Sequence, residues 1–301
     1  MEDIINNIIN KNKKIFGINA EINKINIGFT NTIYSIDNKY IVKICSDINN
    51  EEQFENEINF YNSNKDNELI PKLYISSTDK KEIPYMYEII EKIEGTPLYN
   101  VWHVLNELQR EEIIKQLCDA MKQIHSNIGK SYDWCQKFKH SFMELYEKAK
   151  EQTLFNESEQ NILNNVYLKF DEYLGASEFV LVHNDLHFDN IFYDNEKIQI
   201  IDFERAIYAP KDFELDIIYR MVRKPWKFAS EETEKYTKIN DYKNIMNYIE
   251  KYYPELINID NLYKRLAIYD MVYNLKHYIN DSWCSELKED ILNDCRIILA
   301  N

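Results

Sequence analysis

The chain has 301 residues, 51 acidic against 36 basic side chains, a formal charge of −15 and only five glycines. Average usage would supply roughly twenty glycines. Gly17, Gly28, Gly95, Gly129 and Gly175 form no G-x-G, which removes the G-x-G-x-x-G dinucleotide fingerprint and the Walker-type P-loop, and the acid excess argues against nucleic acid, whose phosphates need clustered Lys and Arg.

Five cysteines without a C-x-x-C point to a reducing compartment. MEDIINNIINKNKK does not read as a secretory leader, and no run approaches the ~18 apolar residues of a membrane span. The expectation is a cytoplasmic monomer with neither membrane nor nucleic-acid partner.

Ile4, Ile5, Ile8 and Ile9 recur at helical spacing and predict a helix over 3–14. Three β-like runs follow at 21–28, 31–36 and 39–45, with Gly28 and Asp37-Asn38 at the turns. Residues 50–63 read as an acidic helix carrying Phe54, Ile58 and Tyr61, and further strands are expected near 72–77 and 84–93. Beyond Glu94-Gly95-Thr96-Pro97 the pattern turns helical, over 106–127, 137–153 and 157–175. Short β runs, FVLV and IQIID, return over 179–202, and helices rich in Tyr and Trp occupy 212–300. This layout predicts an α+β fold of two domains, 1–94 and 95–301, with a hinge near 91–96.

The segment LVHNDLHFDNIFYDNEKIQIIDFERA carries the sharpest chemical pattern. His183-x-Asp185 lies five residues before Asn190, and Asp202 follows twelve residues later after an apolar strand. Phosphoryl transfer needs a carboxylate to accept the proton of the attacking hydroxyl, and oxygen ligands to hold Mg²⁺ against the phosphates. Here the chain resembles the aminoglycoside phosphotransferase and choline kinase superfamily, relatives of the protein kinases. The resemblance implies a bilobal protein-kinase-like fold, with a small β-rich N-lobe and a large, mainly helical C-lobe. It also implies Asp185 as catalytic base, Asn190 and Asp202 as magnesium ligands, His183 as a support of the loop, and ATP or GTP as phosphate donor.

The N-terminal part fits the same resemblance. Gly28, Thr30 and Asn31, within Gly28-Phe29-Thr30-Asn31, match the nucleotide-covering loop, Lys43 in YIVKIC matches the phosphate-binding lysine, and Glu57 in ENEINFY matches its acidic partner. Alone, Lys43 would read as an ordinary strand residue; its place between the turn and the acidic helix makes the match. YMYEIIEKIEGTPL resembles the hinge, whose main chain near Glu91 and Ile93 would meet the base. Two positions depart from the usual pattern. Asn184 stands where many relatives have Gly, and Asn tolerates left-handed backbone better than most residues. Glu204 occupies the last position of the D-F-G motif, which points to a constantly formed loop.

An acceptor pocket in the second domain is implied, lined by acids and aromatics that receive a cationic small molecule. Glu204, Asp212, Glu231, Glu232 and Asp270 are the leading candidates, with Glu214, Asp281, Glu286, Trp226, Trp283, Tyr269 and Tyr273 behind them. Charge alone does not identify this pocket, because 206–301 holds 16 acids against 14 bases. The leading expectation is Mg-dependent transfer to an aminoglycoside antibiotic, which would confer resistance. A choline- or ethanolamine-type kinase is the alternative, and a non-catalytic nucleotide-binding module the third reading.

Overall fold

The computed structural model describes residues 1–17, 20–25, 31–175, 177–230 and 232–300. The chain divides into two compact units, Met1–Leu105 with His187–Ala206, and Asn106–Leu186 with Ile207 onward. The first unit thus runs past the boundary expected at 94/95 and takes in a later segment. Backbone pairing is the reason: Thr96–Pro97 is antiparallel to Phe192-Tyr193, the first arm of a hairpin whose second arm is Ile198–Ile200. Gly95 makes that approach possible. Its φ is +103°, and a Cβ there would lie 2.6 Å from the Tyr193 carbonyl oxygen, so a side chain is excluded twice over.

In the first unit, strands β1 (Ile22–Ile25), β2 (Thr32–Ile36), β3 (Tyr40–Ile44), β4 (Leu73–Ser77) and β5 (Tyr87–Glu91) form one antiparallel sheet in the order β1-β2-β3-β5-β4. The period-2 rule sorts their side chains. Tyr40, Val42 and Ile44 of β3, with Tyr87 and Ile89 of β5, pack in one cluster with Ile5, Ile8 and Phe16. Ile5 and Ile8 belong to helix α1 (Glu2–Lys11). Lys43 and Glu88, opposite each other in the β3–β5 register, therefore leave the other face. Helix α2 (Glu51–Ser63) contributes Phe54 and Ile58 to a second cluster, with Cys45 and Met86. The early elements agree with expectation within a few residues. The expected run at 26–28 lies outside the described residues.

The second unit is mostly helical: α3 (Glu107–His125), α4 (Trp134–Glu151), α5 (Glu157–Tyr167), α6 (Leu215–Arg223), α7 (Ile245–Tyr252), α8 (Leu262–Asn280) and α9 (Ser285–Leu299). Capping boxes open two of them, Asn106 with Gln109 and Asn156 with Glu159, each satisfying two orphan backbone donors. The helix expected over 157–175 ends at Tyr167, and a separate turn spans Phe170–Tyr173. Phe179–Val182 pairs antiparallel with Ile207–Pro210. Trp134, Phe138, Phe179, Phe213 and Tyr269 form an aromatic cluster with several edge-to-face contacts. No helix among the described residues is long and apolar enough to cross a membrane, and all five cysteines are free thiols.

Candidate active site

Within the first unit, Lys43 is brought out of β3 towards α2, where Glu57 is fully buried. Its Nζ donates to both Glu57 carboxylate oxygens at 2.7 and 2.8 Å and lies 3.8 Å from Asp202 Oδ1. Burial alone would lower the lysine pKa, but Glu57 and then Asp202 hold it above the usual value, so Lys43 is a fixed cation. Such a cation, buried between acids and close to a more exposed carboxylate, suits the binding of phosphate oxygens.

The segment 187–206 reaches this lysine through a strained loop. Asp202 follows the hairpin with φ +68°, a conformation that non-glycine residues hold only when their surroundings enforce it. Here the enforcing contacts belong to its neighbours. Phe203 stacks on Phe60 at 3.9 Å and meets Tyr61 edge-on, while its N–H donates to Glu57 Oε1 at 3.3 Å. Glu57 therefore ties the lysine to the backbone beside Asp202. Ile201 N–H donates to the Asn190 carbonyl (3.0 Å), and the Asn190 amide nitrogen lies 3.3 Å from His187 Nε2. Asn190, one of the two expected magnesium ligands, thus sits on backbone hydrogen-bonded to the residue just before Asp202, the other. Glu204 accepts from the Asn31 side chain at 3.2 Å and has no left-handed φ, so this loop does not need glycine there.

In the second unit, the buried strand Phe179–Val182 delivers His183-Asn184-Asp185. Asn184 has φ +62°, the left-handed conformation for which Asn is suited. Fully buried Glu214 accepts from the backbone N–H of His183 (2.8 Å) and of Asn184 (3.3 Å), and its Oε2 lies 3.2 Å from His125 Nε2. Burial acts to raise the Glu214 pKa, yet His125 and His183 bring it below the usual glutamate value. Glu214 is therefore an anion that clamps the backbone just before Asp185.

Gly28, Thr30 and Glu231 lie outside the described residues. Glu91 donates its N–H to the Lys72 carbonyl within the sheet (2.9 Å), which leaves Ile93, past the strand end, as the candidate donor to a base. Asp212 is buried and engaged on both oxygens by Arg265 (2.7 and 2.8 Å) and by the Tyr269 hydroxyl (2.9 Å). Asp270 accepts from Arg223 and Asn274, both at 2.9 Å. Glu232 is exposed. Sequence reasoning gave Glu214 only a place among acceptor-binding acids, and it missed Glu88. An acid inside the apolar run YMYEII was the available signal for the latter, but its facing Lys43 depends on cross-strand register.

Residues 21–243 match the family model described as the phosphotransferase enzyme family. Protein LicA homolog of Mycoplasma capricolum subsp. capricolum is 27% identical over 230 residues, 75% of this chain and 84% of the relative. An ADP-bound aminoglycoside phosphotransferase, APH(2'')-Ib, superposes with a TM-score of 0.70 at 15% identity, covering 98% of each chain. Choline kinase from Cryptosporidium parvum superposes with a TM-score of 0.62 at 16% identity, covering 99% of this chain and 95% of its own. The family match and the shared fold define a phosphotransferase with the kinase-like fold. The chain belongs to the phosphotransferase enzyme family.

Proposed function

We propose that the protein transfers the γ-phosphate of ATP or GTP, with Mg²⁺, to a hydroxyl of a small cationic molecule. The observation that carries this reading is the buried Lys43–Glu57 pair beside Asp202. ADP-, ATP- and GDP-bound proteins among the structures sharing the fold support a nucleotide donor. In this reading Lys43 binds donor phosphate oxygens, Ile93 offers main chain to the base, and Gly28, Thr30 and Asn31 cover the phosphates. Asp202 and Asn190 supply a carboxylate and an amide oxygen, the hard donor set that magnesium prefers. Bound magnesium would neutralise charge on the phosphates. Asp185 accepts the acceptor's hydroxyl proton, and Glu214 holds the backbone that presents it.

For the acceptor we favour a singly charged amino alcohol of the choline or ethanolamine type. An aminoglycoside carries several ammonium groups and needs several carboxylates to receive them. Asp212 and Asp270 are already engaged by Arg265 and Arg223, and Glu286 and Asp290 by Lys224 and Lys227. A cavity of about 320 Å³ in the second unit is lined by Arg220, Arg223, Lys224 and Lys227 together with Asp270, Asp281 and Asp290. An aminoglycoside is the second reading, favoured by the streptomycin, gentamicin and kanamycin complexes that share the fold. Free thiols, four of the five buried, support a reducing, cytoplasmic setting.

A coupled nucleotide-turnover assay over choline, ethanolamine, kanamycin and gentamicin tests this, with ATP and with GTP. Turnover with the amino alcohols is expected, and Asp185→Asn should cost about 10²–10⁴ in kcat without loss of fold. Turnover confined to aminoglycosides selects the second reading. Nucleotide binding without transfer to any alcohol selects the non-catalytic module.

A further inference from the structure

Glu88 is a fully buried acid whose two carboxyl oxygens have no donor among the described residues. It stands opposite Lys43 in the β3–β5 register, on the face that α2 covers with Glu57 and Tyr61. The Tyr61 hydroxyl is likewise buried and has no hydrogen-bond partner among the described residues. Lys43 on β3, Glu57 and Tyr61 on α2, and Asp202 beyond the hairpin are the titratable groups acting on Glu88 or sharing its surroundings. Across β4 its register neighbour is Ser76. The neighbourhood thus holds one cation and three carboxyl groups.

A carboxylate with no donor in such a place would carry the full desolvation cost of an uncompensated charge. A carboxylic acid instead becomes a donor, and the adjacent Glu57 carboxylate is a ready acceptor. We propose that Glu88 is a positioning residue that donates its carboxylic O–H to Glu57 and so holds Glu57 against Lys43 for nucleotide binding. Burial first, then the Glu57 charge, pushes the Glu88 pKa well above the usual glutamate value, with Lys43 acting in the opposite sense. Ionisation of Glu88 would remove the donor and add a second negative charge beside Lys43. That charge would draw the lysine inward and repel the donor phosphates.

This inference rests on Lys43 as the nucleotide-phosphate lysine, and the test separates the two. ADP and GDP binding to the full chain is measured by calorimetry in EDTA from about pH 6 to about pH 10, which keeps metal out of the titration. The wild type is expected to lose about tenfold in affinity on the alkaline side. Glu88→Gln, whose amide N–H can still donate to Glu57, should hold its affinity within about twofold across the range. Glu88→Leu, with no donor, should already bind about tenfold more weakly at neutral pH. An alkaline loss in Glu88→Gln equal to that of the wild type would overturn the proposal, as would wild-type affinity in a folded Glu88→Leu. If Glu88→Leu does not fold, the comparison of Glu88→Gln with the wild type decides. Lys43→Ala is the control. Wild-type affinity there removes the reading of Lys43 itself, whereas lost affinity there with indifferent Glu88 variants removes only the role of Glu88.

Discussion

Replacing Glu214 by alanine removes an anion that serves two backbone N–H groups and one imidazole at the turn before Asp185. The carboxylate is fully buried, so the His183 and Asn184 amides lose a charge-assisted partner that water cannot easily replace. A hydrogen bond to a charged group contributes about 1.5–3 kcal/mol. Because the three share one carboxylate they do not add, and a total of about 3–5 kcal/mol is expected, in the range for breaking a buried charged network. Glu214→Gln keeps one acceptor oxygen but turns an amide nitrogen towards donors, and should cost about 2 kcal/mol. Asn184, held at φ +62°, would relax towards ordinary backbone and move Asp185. A displacement of about 1 Å can cost on the order of 10²-fold in rate, so kcat should fall while ADP affinity, which belongs to the first unit, stays unchanged. Urea unfolding, calorimetry with ADP and steady-state turnover measure the three quantities separately. The stability difference also has a pH signature. The folded-state pKa of Glu214 is depressed, so its contribution is present above the usual glutamate range and is lost as pH falls through the folded value. Wild type and Glu214→Ala should therefore converge in acid. A Glu214→Ala protein with wild-type kcat, or one losing nucleotide affinity and turnover alike, would refute the clamp.

Two further perturbations probe the second unit. Arg265 is buried and grips Asp212 through Nε and Nη2, so Arg265→Ala should cost about 3–5 kcal/mol by urea unfolding, and Arg265→Met with Asp212→Leu should recover part of that loss. A loss below about 1 kcal/mol would show that the pair is hydrated. Asp294 is pushed up to about 8 by burial and by Asp270, against the pull of Arg223. Its folded value lies above its unfolded one, so the wild type loses stability as pH rises through the ordinary aspartate range and on through about 8. Asp294→Asn should therefore raise Tm at alkaline pH and change it little below the ordinary aspartate range. A Tm difference independent of pH would contradict this.

The chain itself carried the order of elements, the alternation of β3 and β5, and the spacing of Asp185, Asn190 and Asp202, because each is a local or linear property. Helix and strand periods are written in single residues, and phosphotransfer motifs are written in short spacings. The assignments that differed or were missed all depend on pairing at a distance. Asp212 and Asp270 read as ligand acids until Arg265 and Arg223 arrive from 53 and 47 residues away. Glu214 read as one more pocket acid until it met the backbone of His183, 31 residues back. Glu88 had no visible role because its relation to Lys43 is set by strand register and the packing of α2. The same holds for the boundary near 94, which moved because a two-residue strand after Gly95 pairs with a hairpin a hundred residues on. Residue types and spacings therefore determined what chemistry this protein can attempt. Tertiary structure alone decided which acids are held in ion pairs, since burial and hydrogen bonding belong to a carboxylate's neighbours in space.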